Sequence, residues 1–125
     1  MNQPLHILVV DDDGDVRDVL AAILEIRGYR VTAASGGASM RSILDAGGID
    51  AVVLDALMPG EPSASLALRA KQLRLPVVMI SGSDQALEIA QSHDLQLLEK
   101  PFRPAELAEA LHRAFASGEF GQRGT

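Results

Sequence analysis

Short apolar runs alternate with amphipathic stretches along most of this 125-residue chain. Five of the runs have strand length, are rich in Val, Ile and Leu, and are bounded by Gly, Pro, Asp or Ser, which predicts strands. Their apolarity is continuous rather than alternating, and this favours burial on both faces of a parallel sheet. The predicted strands are Leu5–Val10, Arg30–Ala34, Ala51–Leu54, Pro76–Ile80 and Leu95–Glu99.

Apolar residues with helical spacing occupy the segments that follow these strands. Gly28 is a plausible stop for the first helix, and Pro104 suits the first turn of the last one. The predicted helical stripes are Val16–Leu24, Met40–Leu44, Leu66–Leu73, a short one at Ala86–Ala90, and Leu107–Phe115.

This order of elements predicts an α/β fold with right-handed crossovers and helices on both faces of one sheet. We expect a flavodoxin-like (βα)5 doubly wound parallel sheet with strand order 2-1-3-4-5. One domain is expected over residues 1–117, followed by a flexible C-terminal tail at 118–125 and no output domain.

Composition narrows the possible functions. The chain has no cysteine, which excludes disulfides, thiolate metal sites and cysteine nucleophiles. The apolar runs are far shorter than the roughly 18 residues needed to span a membrane, so we expect a cytoplasmic protein without membrane contact. The net charge of −6 argues against direct nucleic-acid binding, which usually needs a basic face.

Charged and hydroxyl side chains stand directly after the predicted strands. Ligands of open α/β sheets bind beyond the carboxyl ends of the strands, so these side chains should meet in one pocket. Three carboxylates at close range repel one another and favour a divalent cation; oxygen ligands suit Mg²⁺. The implied chemistry is phosphoryl transfer to a carboxylate, whose pKa a nearby cation would keep low. The pocket residues are Asp11, Asp12, Asp55, Ser81 and Lys100.

Four motifs in order carry a family resemblance over nearly the whole chain. Each lies at a strand end, and together they resemble the receiver domain of bacterial two-component response regulators. The motifs are VVDDD (Val9–Asp13), VVLDALMPG (Val52–Gly60), VVMISGSD (Val77–Asp84) and LLEKPF (Leu97–Phe102).

The resemblance implies a role for each pocket residue. Asp55 would be the phosphoacceptor. Asp12, Asp55 and the backbone carbonyl of Leu57 would hold Mg²⁺, and Asp11 would reach the metal through water. The roles implied for the remaining positions are a switch hydroxyl for Ser81, neutralisation of phosphoryl charge for Lys100, and a cis peptide before Pro101.

The family likeness also implies partners. A histidine kinase or histidine phosphotransfer protein would donate the phosphoryl group, and a conformational change would signal to an unidentified downstream protein. The protein would be a regulator, a monomer or weak homodimer, and not an enzyme, although it would assist its own phosphorylation and dephosphorylation.

The sequence departs from the family pattern away from the pocket. Leu97 stands where receivers usually carry an aromatic residue, the fourth predicted helix is short, and Glu61-Pro62-Ser63 replaces the usual Asp-Gly after Met-Pro-Gly. These departures concern the output surface and leave the phosphorylation chemistry intact.

Two other functions fit parts of the sequence. A degenerate receiver would act as an interaction module without phosphorylation. A haloacid-dehalogenase-type phosphatase would use Asp11 as nucleophile and Asp13 as general acid/base. Two observations argue against this assignment: the sequence has no late acidic pair for the metal after Lys100, and Asp55 would have no role. Asp13 is otherwise expected to cap the first helix.

Overall fold

The computed structural model describes residues 3–82 and 95–117. Its strands are β1 (His6–Val10), β2 (Arg30–Ala34), β3 (Ala51–Asp55), β4 (Val77–Ser81) and β5 (Gln96–Glu99). Its helices are α1 (Gly14–Ile26), α2 (Gly37–Ala46), α3 (Ser63–Gln72) and α4 (Pro104–Ala116). All strand pairs are parallel and the sheet order is β2-β1-β3-β4-β5, which confirms the predicted topology.

Two predicted features lie outside the described residues. These are the short helical stripe at Ala86–Ala90 and the C-terminal tail at 118–125. Within the part of the chain that is described, no helix is both long enough and apolar enough to cross a membrane.

Two strands reach further toward the pocket than the sequence predicted. Asp55 and Ser81 are the last residues of β3 and β4 rather than the first residues after them. The sheet hydrogen bonds continue past them, since the Ala56 amide donates to the Ile80 carbonyl at 2.9 Å and the Lys100 amide donates to the Ser81 carbonyl at 2.9 Å. The sheet itself therefore fixes the backbone of both pocket residues.

The burial of each strand depends on whether it lies in the interior or at the edge of the sheet. Every residue of β3 and β4 is buried, as the continuous apolar runs predicted. The prediction is wrong for β2, where Arg30 and Ala33 are exposed. An edge strand lies at the margin of the sheet, where the covering helices leave part of it in contact with solvent.

The core is divided by the sheet into two layers. Alternate residues of β1 point to opposite faces, as strand geometry requires. Leu8 and Val10 pack on the face of α2 and α3, with Met40, Leu44, Leu66 and Ala70. Ile7 and Val9 pack on the face of α1 and α4, with Leu20, Leu24, Leu107 and Leu111.

The start of α1 uses one aspartate as a cap. The Asp13 carboxylate accepts from the amides of Asp15 at 2.9 Å and Val16 at 3.3 Å, which confirms the predicted cap. Asp13 is thereby engaged with the helix N-terminus. Asp11 and Asp12 are the members of the acidic run left for the pocket.

Candidate functional site

Three carboxylates meet beyond the adjacent strands β1 and β3. Asp11 and Asp12 follow β1, and Asp55 ends β3. One carboxylate oxygen from each lies within 4.8 Å of the others, so the predicted convergence is confirmed. Asp11 and Asp55 are buried and Asp12 is exposed, so the cluster opens to solvent on the side of Asp12.

Asp11 is fixed by the turn between β1 and α1. Its amide donates to the Ala34 carbonyl at 3.1 Å, and its Oδ1 accepts from the Asp13 amide at 2.9 Å. Its own carbonyl accepts from Nη1 of Arg17 at 2.8 Å. The sequence analysis assigned no role to Arg17; its one signal was a cation in the first turns of a helix that follows an acidic run.

A cation reaches the cluster from β5. Nζ of Lys100 lies 3.7 Å from Oδ1 of Asp55. The Lys100–Pro101 peptide bond is cis, the geometry implied by the resemblance to receivers. Ser81 is buried at the end of β4, and its carbonyl is tied to the Lys100 amide. The structure thus brings all five predicted pocket residues to the same edge of the sheet.

The protein groups around Asp55 raise the pKa of its carboxyl above the ordinary 3.8. Burial is the largest cause and the negative charge of Asp11 is the second. Lys100 and the Leu57 amide act in the opposite direction, but the Lys100 side chain is 42% exposed, and the Leu57 hydrogen bond is long, at 3.5 Å. Burial and Asp11 outweigh Lys100, whose charge is screened by solvent. The protein groups alone therefore do not produce the low pKa that the sequence analysis expected for Asp55.

This raised pKa predicts that Asp55→Asn stabilises the protein when metal is chelated. The unfolded carboxyl ionises near pH 3.8 while the folded one resists ionisation, so folding loses stability as pH rises through that window. Relief of the buried charge should therefore raise the Tm at neutral pH; in a small domain each 1 kcal/mol corresponds to about 4–8 °C in Tm. Thermal unfolding in EDTA should show this gain, and the gain should shrink as pH falls toward 3.8. An unchanged or lower Tm at neutral pH would contradict it.

The donor set fits Mg²⁺. All three side chains of the cluster offer carboxylate oxygens, the type of ligand that hard divalent cations prefer. In an octahedral Mg²⁺ site adjacent ligands lie about 3 Å apart and opposite ligands about 4 Å apart, so oxygens within 4.8 Å of one another are close enough for two to bind the ion directly and the third through a water. The remaining open side, at the exposed Asp12, leaves room for water and a phosphoryl oxygen.

The loop after Asp55 contains contacts that the sequence analysis missed. Ser63 is buried, and its hydroxyl donates to the Asp55 carbonyl at 2.9 Å. Glu61 forms a two-point ion pair with Arg41 of α2. The sequence showed Glu61-Pro62-Ser63 only as a departure from the family pattern, and tertiary contacts to residues distant in the chain could not be inferred from it.

Leu97, another departure from the family pattern, is a packing residue. It is half-buried in β5 and contacts the core layer beneath α2 and α3.

Comparisons with known proteins give a consistent assignment. A family model described as the response regulator receiver domain matches residues 7–112. A receiver protein from Sinorhizobium medicae has a similar crystal structure, with a TM-score of 0.83 and 33% identity over 92% of this chain and 97% of that one.

Two curated bacterial relatives are similar over most of this chain. The uncharacterized transcriptional regulatory protein YbdJ of Bacillus subtilis is 34% identical over 82% of this chain and 47% of its own length. The aerobic respiration control protein ArcA of Escherichia coli is 32% identical over 84% of this chain and 46% of its own length. The chain therefore spans about half the length of these relatives.

Proposed function

Because the chain belongs to the response regulator receiver domain family, we propose that it is a phosphorylation switch in which Asp55 accepts a phosphoryl group. The observation that carries the proposal is the cluster of Asp11, Asp12 and Asp55, with Lys100 Nζ 3.7 Å from the Asp55 carboxylate. Members of this family are regulators. In the proposed function the chain also assists its own phosphorylation and dephosphorylation.

The proposed reaction is a displacement at phosphorus. A carboxylate oxygen of Asp55 attacks, the new O–P bond forms as the P–N bond of a phosphohistidine breaks, and the imidazole leaves with the electron pair. Asp55 attacks in its ionised form, so no proton must be removed from it. Lys100 balances charge on the transferred group, and Ser81 supplies a hydroxyl to one of its oxygens.

We propose Mg²⁺ as the cofactor, held by Asp12, Asp55 and the Leu57 carbonyl, with Asp11 acting through water. When bound, Mg²⁺ supplies positive charge that favours the ionised carboxylate and the phosphoryl oxygens. The chain's own contribution is to hold three carboxylates together at the cost of mutual repulsion and burial, which is visible in the raised pKa of Asp55.

The donor of the phosphoryl group is proposed to be a histidine kinase or histidine phosphotransfer protein. An apolar groove of about 390 Å³ lies between α1 and the segment after β5. Both sides of the groove are continuous with the pocket, because α1 begins directly after the acidic run and Phe102 directly follows Lys100-Pro101. A partner helix bound in the groove would therefore lie next to Asp55. The groove is lined by Asp15, Val16, Val19, Leu20, Ile23, Phe102 and Pro104.

The exposed side of α1 supports this use of the groove. The sequence analysis placed Val19 in the core-facing stripe, but its side chain is 58% exposed, and Ile26 further along the helix is 86% exposed. Together with Val16 and Ile23, these residues follow helical spacing along one face. Such a stripe is wider than the core requires and offers apolar contacts to an amphipathic partner helix.

Val19→Asp should separate partner binding from phosphorylation chemistry. An unpaired carboxylate in a docked groove costs about 1–3 kcal/mol, so phosphotransfer from a phosphorylated kinase found by profiling should fall by ~tenfold or more. Labelling by acetyl phosphate should be unchanged. The matched control is Leu68→Asp on α3, whose side chain is 46% exposed on the opposite face of the sheet. Equal losses in both variants would rule out docking in this groove.

Two alternatives are separated by mapping the label. With acetyl phosphate and Mg²⁺, mass spectrometry should find one phosphoryl group on Asp55. A label on Asp11 would favour the phosphatase-type chemistry, although Asp13, its required acid/base, is engaged as a helix cap. A lack of any label would favour a degenerate receiver that acts only as an interaction module. A cytoplasmic location is part of the proposal, since the proposed kinases phosphorylate their targets there.

A further inference from the structure

The loop between β3 and α3, residues 56–62, is held at several points. At its start, the Ala56 amide donates to the Ile80 carbonyl of β4 at 2.9 Å. At its end, the buried Ser63 hydroxyl reaches back and donates to the carbonyl of Asp55 at 2.9 Å. This last contact closes the loop on the backbone of Asp55 itself.

A second restraint ties the same loop to α2. Nε of Arg41 donates to Oε1 of Glu61 at 3.0 Å, and Nη2 of Arg41 pairs with Oε2. A two-point pairing of guanidinium and carboxylate fixes direction as well as distance. The hydrogen bond from Arg41 lowers the pKa of Glu61, so the pair stays charged at neutral pH.

Gly37 provides the space for this pair at the start of α2. A Cβ atom at that position would lie 3.3 Å from Cβ of Glu61 and 3.0 Å from its Oε1. The Glu61 side chain therefore passes directly over the Gly37 backbone on its way to Arg41. Three separate sequence features, Gly37, Arg41 and Glu61, are explained by one contact.

We propose that Arg41, Glu61 and Ser63 form a loop brace that positions the Leu57 carbonyl for the metal. The loop between the braced points contains Leu57, whose amide lies 3.5 Å from Oδ1 of Asp55. A carbonyl ligand on an unrestrained loop would have to be ordered when the ion binds, which weakens binding. This inference rests on the proposed metal-dependent phosphorylation of Asp55, and it assigns these three residues a positioning role within it.

Charge and position predict opposite effects for Arg41→Gln. Removal of a positive charge near a cation site should strengthen Mg²⁺ binding if only long-range electrostatics matters. Loss of the brace should weaken it, by about threefold for a partly exposed but two-point ion pair. The sign of the change therefore distinguishes the two effects.

Arg69→Gln is the matched control. Nη2 of Arg69 pairs with Oδ1 of Asp45 at 3.1 Å, so this substitution also breaks an ion pair at α2 with the same change of charge. The Arg69 pair joins α3 to α2 and makes no contact with residues 56–62 among the bonds described. We expect Arg69→Gln to leave Mg²⁺ affinity unchanged or slightly stronger.

The experiment is an NMR titration of the full chain with MgCl2, together with amide hydrogen exchange of the metal-free protein. Arg41→Gln should weaken Mg²⁺ binding about threefold and speed exchange at residues 57–60, and Ser63→Ala should do the same. Equal or tighter binding by Arg41→Gln, or equal weakening by Arg69→Gln, would overturn the brace. If the unmodified chain binds no Mg²⁺ at the aspartate cluster, the proposed metal site fails instead.

Discussion

Asp55→Asn should abolish labelling by acetyl phosphate in the presence of Mg²⁺. Asn keeps the size of the side chain and its hydrogen-bonding capacity toward Lys100 and Leu57, but its amide is not a nucleophile for phosphorus. The loss should exceed ~100-fold, because no other carboxylate in the cluster is both buried and paired with a lysine. Intact mass spectrometry after a fixed incubation measures the loss directly.

The matched control for this experiment is Asp13→Asn. It makes the same chemical change within the acidic run, and Asn caps a helix as well as Asp does. Labelling should persist in this variant, and peptide mapping should place the phosphoryl group on Asp55. Retention of the label in Asp55→Asn, with peptide mapping placing it on Asp11, would reverse the assignment and point to the phosphatase-type nucleophile.

The same substitution separates chemistry from folding. Asp55→Asn is expected to lose the label while gaining stability in EDTA, since burial and Asp11 disfavour the charged form of Asp55. A site that destabilises its own fold is typical of a functional pocket, where groups are held in an arrangement that only a ligand or reaction partner makes favourable. A variant that lost both label and stability would indicate that Asp55 is mainly structural.

The strand order and the pocket could be predicted from sequence because both follow from patterns local in the chain. Continuous apolar runs indicated the strands, and the polar residues that end them had to share one edge of a parallel sheet. The confirmed proximity of Asp11, Asp12 and Asp55 shows how far this reasoning extends. It identifies which groups meet without any knowledge of their environment.

Local sequence patterns did not predict the solvent exposure and the surroundings of individual side chains. The direction of the Asp55 pKa shift depends on how far burial and Asp11 outweigh Lys100, and that balance is set by solvent exposure in three dimensions. The exposure of Val19 is similar. Its spacing fits the apolar stripe of α1, but only the packed structure shows that the core is already filled by Leu20 and Leu24.

Side-chain pairs between residues distant in the chain were also not predictable from local sequence patterns. Arg41 and Glu61 are far apart in the chain and unremarkable in isolation, and Ser63 follows a proline in a segment that matched no motif. Their contacts exist because α2 and α3 pack on the same face of the sheet. The segment that departs from the family pattern is therefore where the structure adds most to the sequence analysis.

Asp12→Asn should lose most of the Mg²⁺ affinity. Asp12 is the exposed member of the cluster, and its carboxylate is the proposed ligand that faces the open side. Replacing a charged oxygen ligand by a neutral amide should weaken Mg²⁺ binding by ~tenfold or more, about 1.4 kcal/mol per decade. Labelling by acetyl phosphate at low Mg²⁺ should fall in parallel and recover in part at high Mg²⁺.

The control for this variant is Asp18→Asn, which removes one exposed negative charge from α1 outside the cluster. Its Mg²⁺ affinity should change little, because solvent and salt screen an exposed charge. In EDTA, Asp12→Asn should be at least as stable as the unmodified chain, since it reduces repulsion with Asp55. If Asp12→Asn bound Mg²⁺ as tightly as Asp18→Asn, Asp12 would not be a metal ligand, and the affinity would have to come from Asp11 and Asp55.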